Sequence, residues 1–196
     1  DAWITALDRF GTMTFEQVVQ PALELVEMYA PRYEGQKDMA TTFKRLIEAE
    51  KKAGGDRHTG LQAARDLVYK GEIAREIAAF SESHGGLLRV EDLEAFQVRV
   101  EPPEHTSYEG YDVYSCGPWC QGPTLLMALN ILEQFDLAAI GHNSADYLHL
   151  ILETVKHVFA DRHQYFGDPD FVQVPMQGLL SKVYAAERAQ AIDMRQ

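Results

Sequence analysis

The sequence has little cysteine, a deficit of positive charge and no long apolar run. Two cysteines among 196 residues are too few for the disulfide framework of a small secreted scaffold. Lysine and arginine number 18 against 30 aspartates and glutamates, which gives a formal net charge of −12. This balance argues against partners that need a basic surface, namely nucleic acids and anionic membranes. No segment approaches the roughly 20 apolar residues that span a bilayer.

The composition that remains is that of a folded protein. Hydrophobic residues make up 46% of the chain and charged residues 24%, and this length is sufficient for one domain with a core. We therefore expect residues 1–196 to form a single domain. Cys116 and Cys120 are separated by three residues, which is not the C-x-x-C spacing of redox proteins, and we expect two unpaired thiols.

Helical spacing of apolar residues dominates the first half of the chain. Thr14 and Gln17 form a T-x-x-Q capping box that opens one helix, and Pro21 is expected to break, kink or restart it. Further helices are predicted over residues 39–51 and over 61–80, with an interruption at Gly71, and a short one over 90–96.

The pattern changes between residues 97 and 115, where β-branched and aromatic residues alternate with polar ones. We predict a strand near Val98–Val100, then a hairpin that turns at Glu109-Gly110. Pro102-Pro103 favours an edge strand or a break at that point. The predicted fold class is therefore α+β, rich in helices with a few strands near 97–115.

Three helices are predicted after this region. Pro123 suits a first helical turn, and Asn143 or Ser144 suits the cap of the next helix. The last helix is expected from about residue 180 to 192. The predicted buried face of the first helix comprises Leu125, Leu126, Leu129, Leu132 and Phe135. The predicted buried face of the second comprises Leu148, Ile151, Leu152, Val155 and Phe159.

Three stretches resemble a known family. Residues 64–103 contain YKGEIA and GGLLRVEDL, similar to the patterns Y-x-G-x-I-A and G-G-x-L-T-x-E-D-L. Residues 118–137 (PWCQGPTLLMALNILEQFDL) resemble P-x-S-x-G-x-x-L-L-x-x-L-N-I-L-E-x-F-D-L, and residues 159–175 (FADRHQYFGDPDFVQVP) resemble A-D-R-x-x-Y-L-G-D-P-D-F-V-x-V-P. The chain thus resembles the C-terminal portion of the large subunit of gamma-glutamyltranspeptidases. It departs from their pattern at Arg89, where Thr is usual, and at Cys120, where Ser is common.

The resemblance implies an N-terminal-nucleophile hydrolase that cuts its own precursor. A Thr that becomes the new N-terminus of a small subunit attacks an amide, and its α-amine serves as the base. The family cleaves or transfers gamma-glutamyl or similar acyl groups, as in glutathione metabolism. This chain would be the helix-rich part of an αββα sandwich. Its partners would be the small subunit and the N-terminal part of the large subunit, its substrate a small-molecule amide, and its location periplasmic or extracellular.

The resemblance places no catalytic residue in this chain and implies neither metal nor organic cofactor. Its most family-specific polar group comprises Asp161, Arg162, Tyr165 and Asp168. One interpretation makes these residues a wall of the acyl site or a brace for the processed end. The interpretation we favour is a buried Asp–Arg salt bridge and a turn that fix a helix terminus.

Other interpretations stay open from the sequence. His149, Glu153, His157 and Asp161 recur every four residues, which suggests metal ligands, but polar pairs on an exposed helix face explain them better. Cys120 precedes a helix start that would lower its pKa, as a thiol nucleophile requires. Trp3 and Trp119 are expected in the core. The alternative for the whole chain is a non-catalytic helical interaction module. Such a module would expose no large apolar face, in contrast to an enzyme fragment.

Overall fold

The computed structural model describes residues 1–195, apart from the side chain of Glu34, and the chain divides into two compact units. The first unit is Asp1–Val100 and the second is Glu101–Gln196. Each unit has its own hydrophobic core. That residues 1–196 form one domain stays a prediction.

The first unit is built from six helices. Their bounds are α1 Ala2–Phe10, α2 Phe15–Tyr29, α3 Glu34–Ala53, α4 Arg57–Tyr69, α5 Glu72–Ser83 and α6 Val90–Ala95. Helix α3 packs against both α2 and α4. The buried apolar residues between these helices are Ile4, Leu23, Ala40, Leu46, Ile47, Leu61 and Ala64.

Local sequence signals fix most of the helix ends in this unit. The capping box of Thr14 and Gln17 is confirmed, and the carboxylate of Glu50 also accepts hydrogen bonds from the first backbone N–H groups of α2. These acceptors satisfy donors that a helix N-terminus leaves free. The interruption at Gly71 is confirmed between α4 and α5. Pro21, however, lies inside α2, which continues to Tyr29, so a break or a second helix at Pro21 is wrong, and a kink stays a prediction.

A buried ion pair joins the first residue of the first unit to α4 and to the segment after α6. The carboxylate of Asp1 accepts two hydrogen bonds from Arg65, at 2.7 and 3.0 Å, and a third from the backbone N–H of Val98 at 2.8 Å. Arg65 also donates to the carbonyl of Phe96. The strand predicted near Val98–Val100 is wrong, because the Val98 N–H is bound by a side chain and residues 96–103 are irregular.

Over its described residues, 101–195, the second unit combines one hairpin with five helices. Its elements are β1 Glu104–Tyr108, β2 Tyr111–Ser115, α7 Gly122–Leu132, α8 Leu137–Ile140, α9 Ala145–Tyr165, α10 Met176–Leu179 and α11 Lys182–Gln190. The strands are antiparallel, with Tyr108 opposite Tyr111, so the turn at Glu109-Gly110 is confirmed. Both turn residues have positive φ, as a two-residue hairpin turn of type I′ requires. The helix-rich α+β class is thereby confirmed.

The two long helices of this unit begin as predicted but bury different faces. Pro123 lies in the first turn of α7, and the Ser144 hydroxyl caps α9. On α7 the predicted stripe is wrong in part: Leu126 is buried, but Leu125 is 53% exposed. The residues that α7 buries are Pro123, Thr124, Leu126, Met127, Asn130 and Ile131.

The predicted buried face of α9 is wrong at three of its five residues, whereas Ile151 and Phe159 are half-buried. Leu148, Leu152 and Val155 are exposed, at 50%, 64% and 41%. Another side of the helix packs inward and buries Leu150, Thr154, Val158 and Asp161. The helix therefore presents a row of apolar side chains, Leu148, Leu152 and Val155, which we call the α9 apolar row. Within residues 1–195, no helix has the length and apolar character needed to cross a bilayer.

Candidate functional site

Two of the three family-like stretches meet in one cleft of the second unit. The cleft has a volume of about 310 Å³. One wall comes from the loop before α7 and the other from the end of α9 and the turn that follows it. The lining residues are Pro118, Trp119, Cys120, Arg162, His163, Phe166, Gly167 and Asp168. This cleft is the candidate functional site.

Arg162 brings a guanidinium group to the cleft. It lies in the last turn of α9, and its guanidinium carbon is 5.8 Å from the centre of the Phe159 ring, one turn earlier. Its Nε is buried and lacks a hydrogen-bond partner among residues 1–195. The sequence alone paired Arg162 with Asp161, and that pairing is wrong.

Asp168 is held at the cleft by a tight turn. Its side-chain oxygen accepts the backbone N–H of Asp170 at 2.9 Å, and its carbonyl accepts from Phe171 and Val172. An aspartate that binds the backbone two residues on stabilises such a turn. The predicted turn after a helix terminus is thus confirmed at Asp168, and it keeps one carboxylate on the same cleft as Arg162.

Asp161 is 2% exposed and is paired with Arg188 of α11. The Nε of Arg188 donates to Asp161 at 3.1 Å and to the Tyr184 hydroxyl at 2.9 Å. Burial, and then the nearby Asp161, raise the pKa of Tyr184 above its ordinary value. The favoured interpretation of a buried Asp–Arg salt bridge therefore holds with a different arginine, because α11 brings Arg188 to Asp161 across the core.

The four predicted site residues do not converge. Arg162 and Asp168 line the candidate cleft, whereas Asp161 points into the core. Tyr165 lines a separate cleft with Tyr184 and Glu187. Whether any of the four lies near a substrate stays a prediction.

The four polar residues that recur every four positions on α9 do not form one polar stripe. Asp161 is buried, Glu153 pairs with Lys156 at 2.7 Å, and His149 bonds the carbonyl of Asp193 at 2.8 Å. Within residues 1–195, no three His, Cys, Asp or Glu side chains are grouped to hold a metal ion.

The surroundings of Cys120 are not those that a thiol nucleophile requires. Its sulfur lies 2.7 Å from that of Cys116 and accepts the N–H of Gly122 at 3.2 Å. Burial raises the pKa of Cys120, so the expected lowering is wrong.

The cleft wall also carries Trp119, whose indole donates to Glu101. Trp119 is 57% exposed and Trp3 90% exposed, so their predicted place in the core is also wrong.

Sequence reasoning missed a polar network, centred on a buried asparagine, that joins the hairpin to the helices. Asn130 is fully buried, and its side-chain oxygen accepts from the Thr106 hydroxyl at 2.6 Å and from Lys182 at 2.7 Å. Lys182 also donates to Glu133 and to the carbonyl of Ser107, both at 2.5 Å. The two polar residues in the apolar run LNILE were the available signal.

Comparison with known proteins gives one consistent family. The sequence model of the family "Gamma-glutamyltranspeptidase" matches residues 33–196. The chain is 37% identical over 96% of its length to the glutathione hydrolase proenzyme of Escherichia coli, and 32% identical over 99% to the acylase ACY 1 proenzyme of Pseudomonas sp. SE83. The Helicobacter pylori gamma-glutamyltranspeptidase superposes on 98% of the chain with a TM-score of 0.78 at 25% identity.

The matched region is part of a longer polypeptide in these relatives. The chain spans 37% of the E. coli proenzyme, 39% of the acylase proenzyme and 62% of the matched H. pylori chain. The similarity therefore covers almost all of this chain and a limited share of each relative.

We expect Arg188→Met to destabilise the protein by about 2–3 kcal/mol, because it leaves the buried Asp161 carboxylate without its cation. The expected loss is smaller than for a fully buried pair, because the Arg188 side chain is partly open to water. Tyr184→Phe removes only a hydroxyl contact and should cost about 1 kcal/mol. Urea unfolding measures both values. Equal losses in the two variants would contradict a dominant role of the ion pair.

The Glu133–Lys182 pair should contribute a small dependence of stability on pH. The hydrogen bond from Lys182, and then that from the N–H of Glu109, lower the pKa of Glu133. A lowered pKa means that the contribution is present above the unfolded value of about 4.3 and is lost as pH falls through the folded value.

Glu133→Gln should therefore destabilise the protein at pH 7 by no more than about 1 kcal/mol, since the pair is partly exposed. The difference from wild type should shrink below about pH 4. Thermal unfolding from pH 7 to pH 3 measures it, with the exposed Glu94→Gln as control. A difference that grows in acid would be inconsistent with this sign.

Proposed function

The chain belongs to the gamma-glutamyltranspeptidase family, and on that premise we propose that it is a scaffold portion of the large subunit of an autoprocessed amide-cleaving enzyme. The parent enzyme cleaves or transfers gamma-glutamyl or similar acyl groups. Its nucleophile is a Thr outside this chain, at the N-terminus of a small subunit. The relatives named as a glutathione hydrolase proenzyme and an acylase proenzyme support this class of reaction.

The α9 apolar row is the observation that carries the proposal. Leu148, Leu152 and Val155 expose between 41% and 64% of their surface on one helix. Contiguous apolar surface of this kind is typical of a surface on which another polypeptide packs. An enzyme fragment is expected to have such a surface, and a closed non-catalytic module is not. The limited share of each relative that the chain spans agrees with a missing partner polypeptide.

The proposed reaction requires nothing catalytic from the described residues. The Thr hydroxyl attacks the amide carbonyl, the free α-amine accepts its proton, and the amine leaving group departs from an acyl-enzyme. Water then gives hydrolysis, or a second amine gives transfer. The second unit would support the small subunit through α9, and Arg162 and Asp168 are the side chains we propose nearest to the site.

The test uses the full-length precursor, not the isolated chain. We expect it to cut itself into two polypeptides, the smaller of which begins with Thr. The processed protein should release the chromophore from a gamma-glutamyl anilide, and replacement of that Thr by Ala should abolish both cleavage and turnover. A precursor that stays intact and turns over neither gamma-glutamyl nor acyl-side-chain amides would favour the non-catalytic interaction module.

Leu152→Lys tests the α9 apolar row. We expect it to weaken assembly of the two polypeptides by at least about tenfold, because a buried lysine loses its hydration at the interface while an exposed one does not. Gln164→Lys is the matched control. It adds the same charge to the same helix at an exposed position that the family pattern leaves variable.

Size-exclusion chromatography and the yield of processed enzyme measure assembly in both variants. The isolated chain with Leu152→Lys should be as stable as wild type, since Leu152 is 64% exposed within it. Equal assembly of the Leu152→Lys and Gln164→Lys proteins would show that the row is not an interface.

A further inference from the structure

The loop between β2 and α7 brings two thiols together. Cys116 and Cys120 are four residues apart, yet a turn closed by the Cys120 N–H on the Gly117 carbonyl brings their sulfur atoms to 2.7 Å. This is a short separation for two sulfurs that are not bonded, and a disulfide needs only a closer approach to about 2.0 Å.

The backbone at Gly122 allows the two sulfur atoms to lie this close. A side chain at Gly122 would place its Cβ 2.4 Å from the Cys116 carbonyl oxygen and 2.5 Å from the Ser115 hydroxyl. Only glycine therefore lets the start of α7 pass so near to Cys116. The same Gly122 donates its N–H to the Cys120 sulfur at 3.2 Å, which holds that side chain towards its partner.

We propose that Cys116 and Cys120, the second of which lines the candidate cleft, are a reversible dithiol–disulfide pair that low-molecular-weight disulfides oxidise. Because Cys120 lines that cleft with Arg162, the disulfide fixes the cleft wall, and its reduction releases it. Nothing in this inference depends on the proposed enzymatic function.

The two sulfurs have different roles in the exchange. Cys116 is exposed and Cys120 is partly buried. The hydrogen bond from Cys120 lowers the pKa of Cys116, whereas burial raises the pKa of Cys120. Since the thiolate is the attacking species, Cys116 reacts first and Cys120 resolves.

The exchange balances in two steps. The Cys116 thiolate attacks one sulfur of an external disulfide, whose S–S bond breaks. A mixed disulfide forms on Cys116, and the departing thiolate takes up the proton that Cys116 lost. Cys120, after losing its own proton, then attacks the Cys116 sulfur and expels the second external thiol. In sum, two protein thiols are oxidised and one external disulfide is reduced to two thiols.

The experiment treats the full-length reduced protein with bis(2-hydroxyethyl) disulfide, then unfolds it in the presence of iodoacetamide. Peptide mapping should show the peptide that holds both cysteines without alkylation, lighter by two hydrogens, and fully alkylated after dithiothreitol. Unreacted thiols, or stable mixed disulfides without an internal link, would overturn the proposal.

Two matched variants test the order of attack. Cys120→Ser should accumulate a mixed disulfide on Cys116, because the resolving thiol is gone. Cys116→Ser should form its adduct on Cys120 at least about tenfold more slowly, because that thiol is more protonated and less accessible. Equal rates in the two variants would contradict the assignment of Cys116 as the attacking thiol.

Discussion

The pairing of a buried carboxylate with Arg188 is the constraint on which the second unit depends. A charge at 2% exposure is tolerated only next to a counter-charge and hydrogen-bond donors, and Arg188 supplies both to Asp161. This contact ties the end of α9 to α11. It also fixes the rotation of α9, since the side of the helix that carries Asp161 has to face inward.

The outward side of α9 follows from that rotation. Leu150, Thr154 and Val158 share the inner side with Asp161, so Leu148, Leu152 and Val155 are left exposed on another side. In a closed globule this arrangement would be unfavourable, because apolar area exposed to water costs free energy. It becomes favourable when another polypeptide covers the row. The ion pair thus fixes the orientation of the helix, and the proposed subunit interface follows from that orientation.

The candidate cleft brings together two family-like stretches that are distant in sequence. Residues 118–137 supply the loop with Trp119 and Cys120, and residues 159–175 supply Arg162 and Asp168. The fully buried Asn130 anchors the first of these stretches to the hairpin and to Lys182 of α11. The loop that presents the two cysteines is therefore held at both ends, by β2 on one side and by α7 on the other.

The sequence by itself determined what depends on near neighbours. The capping box at Thr14, a cap at Asn143 or Ser144, the interruption at Gly71, the turn at Glu109-Gly110 and the family itself were all readable from it. Only the tertiary structure decided which face of α9 is buried, which arginine meets Asp161 and which residues line the cleft. Those outcomes rest on contacts such as Asp161–Arg188, between residues 27 positions apart, and no local spacing encodes them.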